Sequence, residues 1–283
     1  MPPSRAACRR RVAWQVVAAS AALLVLSAQT PGATQGPPAP AALTAEQQEA
    51  FLATARVVKR RSVSTGVTGT VRATLTDGTI THDASIQTID ERKAQFPTDR
   101  GTEFNFRDSW TYNVAAYRLA RLLGIDTIPP SVRRNWEGGP ASFTWWVDDV
   151  MMDEKERVAR KVQPPDPQGW NRQIHVVRVF DQLICNVDRN LGNLLITKDW
   201  TVWMIDHSRS FRLQDTIREP GNLVRCNRQL LERLRALDYD TAKRVLDDYL
   251  TEPELKALFT RRDLIVAHFD ALGAAALYDP QKR

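Results

Sequence analysis

β-Branched residues are concentrated between residues 57 and 90, whereas apolar residues recur at helical spacing over the second half of the chain. The first region is rich in Val, Thr and Ile and is interrupted by turn residues, a pattern typical of short antiparallel strands. The predicted strands are 57–64, 70–76 and 80–89. Residues 142–147 predict a further strand, and the chain from about residue 228 onward predicts helices.

A long helix is predicted over residues 108–124. Ala115 and Leu119 lie on one face of it, Asp108 is the predicted N-cap, and Gly124 is suited to the position that follows the last turn. This helix would separate the strands near the N-terminus from the later part of the chain.

The remaining segments have weaker signals. Residues 45–60 predict a short helix with Thr44 as its N-cap. The segment after residue 90 is predicted to be a loop. Residues 170–186 predict a helix, and residues 194–205 predict a hairpin that delivers Asp206 at its exit.

These elements predict an α+β fold with two lobes. Residues 45–147 would form an N-lobe with a small antiparallel sheet and one helix, and residues 170–283 a helix-rich C-lobe. The charged, Pro-rich residues 148–169 would connect them. Strands come first along the chain and helices second, which is the order of a two-lobed α+β protein.

The N-terminus has the composition of a secretory signal peptide, predicted at residues 1–28. Four Arg residues precede an apolar run from Val12 to about Ala28, and small residues follow. A retained membrane anchor is the alternative, although the run is slightly short for a span. Residues 29–44 are rich in Pro, Ala and Gly and predict a linker. We therefore expect an exported protein, or a membrane-anchored one if cleavage does not occur.

Composition excludes some classes of function. The 283 residues carry a net charge of +6, and loss of the four N-terminal Arg leaves about +2, without a basic patch interleaved with aromatic residues. Nucleic acid is therefore not an expected partner. After signal cleavage two cysteines remain, Cys185 and Cys226, and an exported protein could pair them or keep both reduced.

The strongest chemical signal is the polar loop from Cys185 to Asn193 and the hairpin that follows it. Asp188 and Asn193 are five residues apart, and Asp206 follows an apolar strand. A kinase needs one carboxylate to accept the proton of the attacking hydroxyl and further oxygens to hold a divalent cation. Asp188 is the candidate base, with Asn193 and Asp206 the candidate ligands of Mg²⁺ or Mn²⁺.

Each candidate has a plainer structural interpretation. Asp and Asn residues often cap turns, which would account for the polar loop. Gly66 and Gly69 could cover nucleotide phosphates with backbone N–H groups, or simply form a turn. Arg189 could contact a phosphate or form an ion pair, and His207 is better suited to packing than to proton transfer.

Several of these segments resemble the atypical kinase branch that includes phosphoinositide 3/4-kinases, HipA-like bacterial kinases and secretory-pathway kinases of the Golgi lumen. The resemblance covers roughly residues 62–250. It rests on four stretches: Asn186–Asn193, Ile205–Ser208, Val114–Gly124 and Ile128–Pro130. It implies a bilobal kinase-like fold, ATP, and Mg²⁺ or Mn²⁺. It also implies catalytic roles for Asp188, Arg189 and Asn193 of the loop, and metal-binding roles for Asn193 and Asp206.

The chain departs from that branch at one ion pair. Gln87 stands where the third strand should carry a Lys, and Asn113 stands where the next helix should carry a Glu. Lys93 could substitute for the missing Lys, and Glu103 or Asp108 for the missing Glu. A neutral Gln–Asn pair would remove a point charge from the nucleotide phosphates.

Three functions follow from these observations. The first is an active kinase acting on a protein, lipid or small-molecule hydroxyl. The second is a pseudokinase that serves as a nucleotide-binding or regulatory module. The third is a non-catalytic secreted α+β protein in which the resemblance of the loop is fortuitous.

Overall fold

The computed structural model describes residues 43–62, 70–98 and 101–279. The predicted signal peptide, nearly all of the predicted linker, and the candidate phosphate-covering residues Gly66 and Gly69 lie outside these ranges. No helix within them is long and apolar enough to cross a membrane.

The strands, in chain order, are β1 (Arg56–Ser62), β2 (Val71–Thr76), β3 (Thr81–Gln87), β4 (Asp90–Thr98), β5 (Gly101–Ser109), β6 (Ser131–Trp136), β7 (Gly139–Trp145), β8 (Val150–Asp153), β9 (Leu194–Thr197), β10 (Val202–Met204), β11 (Cys226–Asn227) and β12 (Leu277–Tyr278). The helices are α1 (Ala45–Thr54), α2 (Thr111–Leu123), α3 (Glu154–Ala159), α4 (Pro167–Leu183), α5 (Arg228–Ala236), α6 (Tyr239–Leu246) and α7 (Glu252–Leu272). The fold is therefore α+β, with an antiparallel sheet in the N-terminal region and helices in the C-terminal region, as predicted.

The N-terminal region is built on one antiparallel sheet with the strand order β1-β2-β3-β7-β6. Leu75, Ile86 and Phe143 project from one face of this sheet and are almost fully buried. They pack against Phe51 and Leu52 of α1, so a single amphipathic helix covers that face. Burial of each large apolar side chain contributes about 1.5–3 kcal/mol. The three strands predicted before residue 90 are confirmed as β1, β2 and β3.

A two-stranded hairpin, β4–β5, replaces the loop that we predicted after residue 90. Most of β4 is exposed, so its sequence lacks the apolar alternation that marks a half-buried strand. Backbone pairing with β5 forms the hairpin, and the rings of Phe96 and Phe106 stack with their centroids 4.2 Å apart. The loop prediction was wrong because this hairpin is held by its own pairing and stacking.

The helix α2 begins three residues later than predicted. Asp108 was the expected N-cap, but it belongs to β5, and Trp110 is the N-cap residue. The N–H of Trp110 donates to the carbonyl of Ile89 at 2.7 Å, which extends the strand pairing beyond Asp108. At the other end Gly124 closes the helix as predicted, with a φ of 63° that favours glycine.

The second core joins α2 to the helices of the C-terminal region. Leu119 and Leu123 of α2 are buried with Phe180 of α4 and with Leu234 of α5. The helix α2 is therefore packed on the C-terminal helices as well as lying beside the sheet. Segment 148–169, predicted as a connection, contains β8 and α3, and β8 pairs with β9.

Cys185 and Cys226 are free thiols, both buried. Burial raises the pKa of each thiol above its usual value, to about 12 for Cys226. Both are therefore protonated at neutral pH, and no disulfide joins them.

Arg261 of α7 is fully buried and ties three backbone segments together. Its guanidinium donates to the carbonyl oxygens of Leu183 at 2.8 Å and of Arg212 at 2.9 Å, and also to that of Gln214. Burial lowers the pKa of Arg261 to about 10, which leaves it charged at neutral pH. The end of α4 and the chain around residue 212 are thus fixed to α7.

We expect Arg261→Met to lower the free energy of unfolding by about 2–3 kcal/mol, because it leaves buried carbonyl oxygens without donors. Urea unfolding of the two proteins measures the difference. Arg228→Met is the matched control, since Arg228 is half-exposed and pairs with the exposed Asp279 at 2.9 Å. That control should change stability by less than about 1 kcal/mol. Equal losses for both variants would contradict the anchoring role.

Candidate functional site

The loop after α4 is shaped by its own Asn side chains. Asn186 Oδ1 accepts from the backbone N–H of Asp188 at 3.0 Å, and Asn190 Oδ1 accepts from the N–H of Gly192 at 2.9 Å. These are the local turns that polar residues commonly form. Asn186 and Asn190 therefore cap turns, as the plainer interpretation of the loop expects. The carboxylate of Asp188 forms neither of these turn contacts.

Asp188 is partly exposed and contacts Arg209, whose Nη1 donates to Asp188 Oδ1 at 3.3 Å. The side-chain amide of Asn193 lies close by and donates to the backbone oxygen of Asp188 at 3.5 Å. The two candidate residues of the loop therefore lie side by side, and Asp188 presents a carboxylate oxygen that is not used to cap a turn.

Arg189 fixes the loop to the exit of β10. Its guanidinium forms a two-pronged ion pair with Asp181 of α4, at 2.9 and 3.0 Å. Its Nη1 also donates to the backbone oxygens of Asn193 at 3.1 Å and Ile205 at 2.8 Å. Of the two roles that we considered for Arg189, the ion pair is present. Arg189 is a positioning residue, because these partners occupy its guanidinium.

Asp206 follows β10 and lies next to the loop. The N–H of Ile205 donates to the backbone oxygen of Asn193 at 3.1 Å, which joins the two segments directly. Asp206 has a φ of 53°, an uncommon value for a residue other than glycine and one that is enriched at functional sites. Ser208 Oγ donates to Asp206 Oδ1 at 3.0 Å.

The carboxylates of Glu103, Asp108, Asp188 and Asp206 form a cluster in which neighbouring negative charges repel one another. Burial raises the pKa of Asp188, and the negative charges of Asp206 and Glu103 raise it further, while Arg209 opposes them. Burial also raises the pKa of Asp108, with added contributions from Asp206 and Asp188. Such a cluster of negative charge is stabilised by a cation.

The donor set suits a hard divalent cation. Asp206 supplies a carboxylate and Asn193 an amide oxygen, which are the ligand types that Mg²⁺ and Mn²⁺ prefer. Among the described residues no three His, Cys, Asp or Glu side chains form a metal cage. In phosphoryl-transfer sites Mg²⁺ usually has one or two protein ligands, and phosphate and water oxygens complete its coordination shell.

A chain of neutral side chains joins the sheet to the Asp206 segment. Asn113 Nδ2 donates to Gln87 Oε1, and Gln87 Nε2 donates to Thr70 Oγ1 at 3.0 Å. Asn113 Oδ1 accepts from the backbone N–H of His207 at 2.8 Å. Gln87 and Asn113 are both buried. The Gln–Asn pair that we predicted in place of a Lys–Glu pair is thus a hydrogen bond between β3 and α2.

Of the proposed stand-ins for the missing charges, Lys93 and Glu103 have ion-pair partners of their own. Lys93 is on the β4–β5 hairpin, pairs with Glu91 at 2.8 Å and lies over the ring of Phe96. Glu103 pairs with Arg209 at 2.6 Å. Lys93 and Glu103 both line a cavity of about 950 Å³ that also includes Asp188.

His207 is buried and packs edge-on against Phe180, with ring centroids 6.1 Å apart. Burial holds the pKa of His207 well below its usual range, so the imidazole is neutral. A packing role was the simpler interpretation of this residue, and its surroundings agree with it.

Two residues of the site had no role in the sequence-based predictions. Arg209 contacts Asp188, and Arg212 pairs with Glu103. Both follow Asp206 within six positions, but neither belongs to a spacing pattern that would have marked it. Their partners come from distant parts of the chain, so no local signal was available.

The chain has a sheet-based N-terminal region, a helical C-terminal region, and a polar loop joined to the Asp that follows a hairpin. This is the arrangement of a kinase-like fold. Comparison with solved structures agrees. Hydra Fam20 in complex with a sugar has a TM-score of 0.61 at 16% identity, covering 84% of this chain and 93% of that chain. The Golgi casein kinase with Mn and ADP bound has a TM-score of 0.60 at 13% identity, covering 84% and 80%.

A Helicobacter pylori proinflammatory kinase, CtkA, has a TM-score of 0.50 at 11% identity, covering 79% of this chain and 98% of that chain. No protein-family model matches the sequence, and no curated protein matches it significantly. At these identities the likeness concerns the fold, and the chemistry of the chain must be argued from its own residues.

Proposed function

We propose that the chain is an ATP-dependent phosphotransferase that acts on a hydroxyl group. The observation that carries this proposal is the junction at Arg189, which holds the catalytic-loop candidates beside the exit of β10. It brings Asp188, Asn193 and Asp206 to one site within a kinase-like fold. The structurally similar Golgi casein kinase, whose structure has Mn and ADP bound, supports a nucleotide and a divalent metal as cofactors.

In this mechanism Asp188 accepts the proton of the acceptor hydroxyl as its oxygen bonds to the γ-phosphorus of ATP. The bond from that phosphorus to the β–γ bridging oxygen breaks, and ADP leaves. Asp206 and Asn193 would hold Mg²⁺ or Mn²⁺. When bound, the metal neutralises charge on the phosphates. Arg189 keeps the loop aligned, and Arg209 orients the Asp188 carboxylate.

A pseudokinase is the second candidate, and the Gln87–Asn113 hydrogen bond is the observation that favours it. Without a Lys at position 87, a point charge on the nucleotide phosphates is lost. Such a protein would bind nucleotide without consuming it, or would serve as a binding module alone. The closeness of Asp188 and Asp206 counts against the third candidate, a fortuitous loop on an unrelated fold.

Nucleotide binding is tested by thermal unfolding with ATP and Mn²⁺. At a ligand concentration of 100 times Kd, binding stabilises the folded state by about 2.7 kcal/mol, so we expect the Tm to rise by about 5 °C or more. Asp206→Ala should remove most of the shift. Asp149→Ala is the matched control, because Asp149 is exposed and pairs with Lys198. No shift in the wild type, or equal shifts in all three proteins, would contradict the proposal.

We also propose that the protein works after export, as the N-terminal composition predicts. An exported kinase needs ATP outside the cytoplasm. The proposal therefore requires that ATP reaches the compartment in which the protein works. N-terminal sequencing of the exported protein tests for cleavage near residue 28.

A further inference from the structure

We propose that the cavity beside Asp188 binds a small hydroxyl compound that carries a phosphate or carboxylate group, and that this compound is the phosphate acceptor. The inference rests on the proposed phosphotransferase function. It adds the chemical class of the acceptor and the residues that recognise it.

The cavity has a volume of about 950 Å³. The β4–β5 hairpin, the loop at Asp188, the chain from Arg209 to Gln214 and the start of α7 form its walls. Seven Arg or Lys side chains line it, against three carboxylates. A cleft lined mainly by one sign of charge concentrates ligands of the opposite sign. An anion is therefore the expected ligand.

Several of the cationic groups have hydrogen-bonding capacity that the described residues do not use. Arg212 is only 9% exposed, and although its Nη2 pairs with Glu103, its Nε and Nη1 have no acceptor among the described residues. Arg107 Nε and Arg209 Nε are likewise buried without an acceptor among the described residues. Buried donors are normally satisfied. These donors suit an oxyanion, which accepts several charge-assisted hydrogen bonds at once.

The position of these donors connects the anion to the chemistry. Arg209 donates to Asp188 at 3.3 Å through Nη1 and to Glu103 at 2.6 Å through Nη2, and Glu103 pairs with Arg212. An anion held by Arg209 and Arg212 would therefore lie close to the candidate base, because the Arg209 guanidinium would contact both the anion and Asp188. A hydroxyl on the same small molecule would reach Asp188.

The cavity favours a small molecule over a polypeptide acceptor. Its volume lies within the range of about 300–1,000 Å³ that is typical of small-molecule sites. The ring of Phe106 provides an apolar surface beneath the cations, with the Arg209 guanidinium carbon 5.1 Å and that of Arg212 5.7 Å from its centroid. Because Phe106 is itself buried, its ring supports the two guanidinium groups, and both of these residues line the cavity.

Substitution of Glu103 tests the inference because it should raise the affinity for an anion, whereas loss of a cationic group should lower that affinity. The Glu103 carboxylate now balances both Arg209 and Arg212, so an incoming anion must compete with it. Glu103→Gln should tighten anion binding, whereas Arg212→Met should weaken it. A variant that merely unfolds the protein cannot produce tighter binding.

The experiment is calorimetric titration of the mature protein with matched pairs of probes, in the presence of Mn²⁺ and a non-hydrolysable ATP analogue. The pairs are ribose 5-phosphate with ribose, and glycerol 3-phosphate with glycerol. We expect the charged member of each pair to bind at least tenfold more tightly. Arg212→Met should weaken its binding at least tenfold, and Glu103→Gln should tighten it about threefold. Arg60→Met, on the exposed face of β1, should change nothing.

Charged and uncharged probes that bind equally, or charged probes that bind Arg212→Met as tightly as wild type, would overturn the inference. Label transferred from ATP to a Ser–Glu peptide but to neither phosphate compound would overturn the small-molecule assignment. Glycerophosphoinositol compared with phosphatidylinositol vesicles distinguishes a free acceptor from a lipid headgroup. The nucleotide analogue is titrated separately. Its failure to bind would refute the proposed function, whereas its binding without any preference for anions would refute only this inference.

Discussion

Replacing Asp188 by Asn is expected to lower the rate of ADP formation from ATP and Mn²⁺ by about a thousandfold, within the range of about 10²–10⁴ for loss of a general base. That factor corresponds to about 4 kcal/mol of transition-state stabilisation. Asn is isosteric and still accepts a hydrogen bond from Arg209, so the loop should keep its shape. Because Asn193 and Asp206 are unchanged, the thermal shift with ATP and Mn²⁺ should persist.

The control for this prediction is Asp149→Asn, which makes the same chemical change at an exposed site paired with Lys198. Its rate should stay within about twofold of wild type. If Asp188→Asn keeps more than a third of the wild-type rate, Asp188 is not the base. If the wild type binds nucleotide but forms no ADP with any acceptor, the pseudokinase candidate is supported instead.

Local pattern was enough to predict the elements that carry the candidate residues. The β-branched segments before residue 90 became β1 to β3, and the apolar repeat of α2 with Gly124 at its end identified that helix. The spacing of Asp188, Asn193 and Asp206 was readable because it lies within one loop and one hairpin. Such signals extend over a few residues and depend on backbone propensity and periodicity.

The β4–β5 hairpin escaped prediction because its strands lack a buried face along most of their length. The cavity depends on this hairpin. The cluster of Arg209, Arg212 and Glu103 escaped for a different reason. Glu103 is 106 residues from Arg209 along the chain, and the two meet only through the fold. Charge pairs between distant segments leave no periodic trace in a single sequence.

The Gln87–Asn113 pair lies between these two cases. Its position followed from the resemblance to kinases, and its chemistry followed from the residues present. The hydrogen bonds then show what the pair does mechanically. Asn113 joins β3 to the backbone of His207, directly after Asp206. A neutral pair therefore preserves the positioning of the candidate metal ligand while giving up the charge that the nucleotide would contact.

Gln87→Lys alone is expected to lower the free energy of unfolding by about 3 kcal/mol, because it introduces a buried charge opposite a neutral amide. Adding Asn113→Asp should restore about 2 kcal/mol, since the new carboxylate can accept from Lys and still accept from the N–H of His207. Urea unfolding of the wild type, both single variants and the double variant measures the coupling free energy. Gln95→Lys, on an exposed part of β4, is the control and should cost less than about 0.5 kcal/mol.

The same double variant separates the two candidate functions. A Lys at position 87 would return a point charge to the nucleotide phosphates, so ATP should bind about tenfold more tightly than to the wild type. If ADP formation also rises, the neutral pair is what limits an otherwise complete catalytic site. If binding tightens and no ADP forms, the chain is a nucleotide-binding module. Additive stability changes with unchanged ATP affinity would mean that positions 87 and 113 do not form the pair on which this reasoning depends.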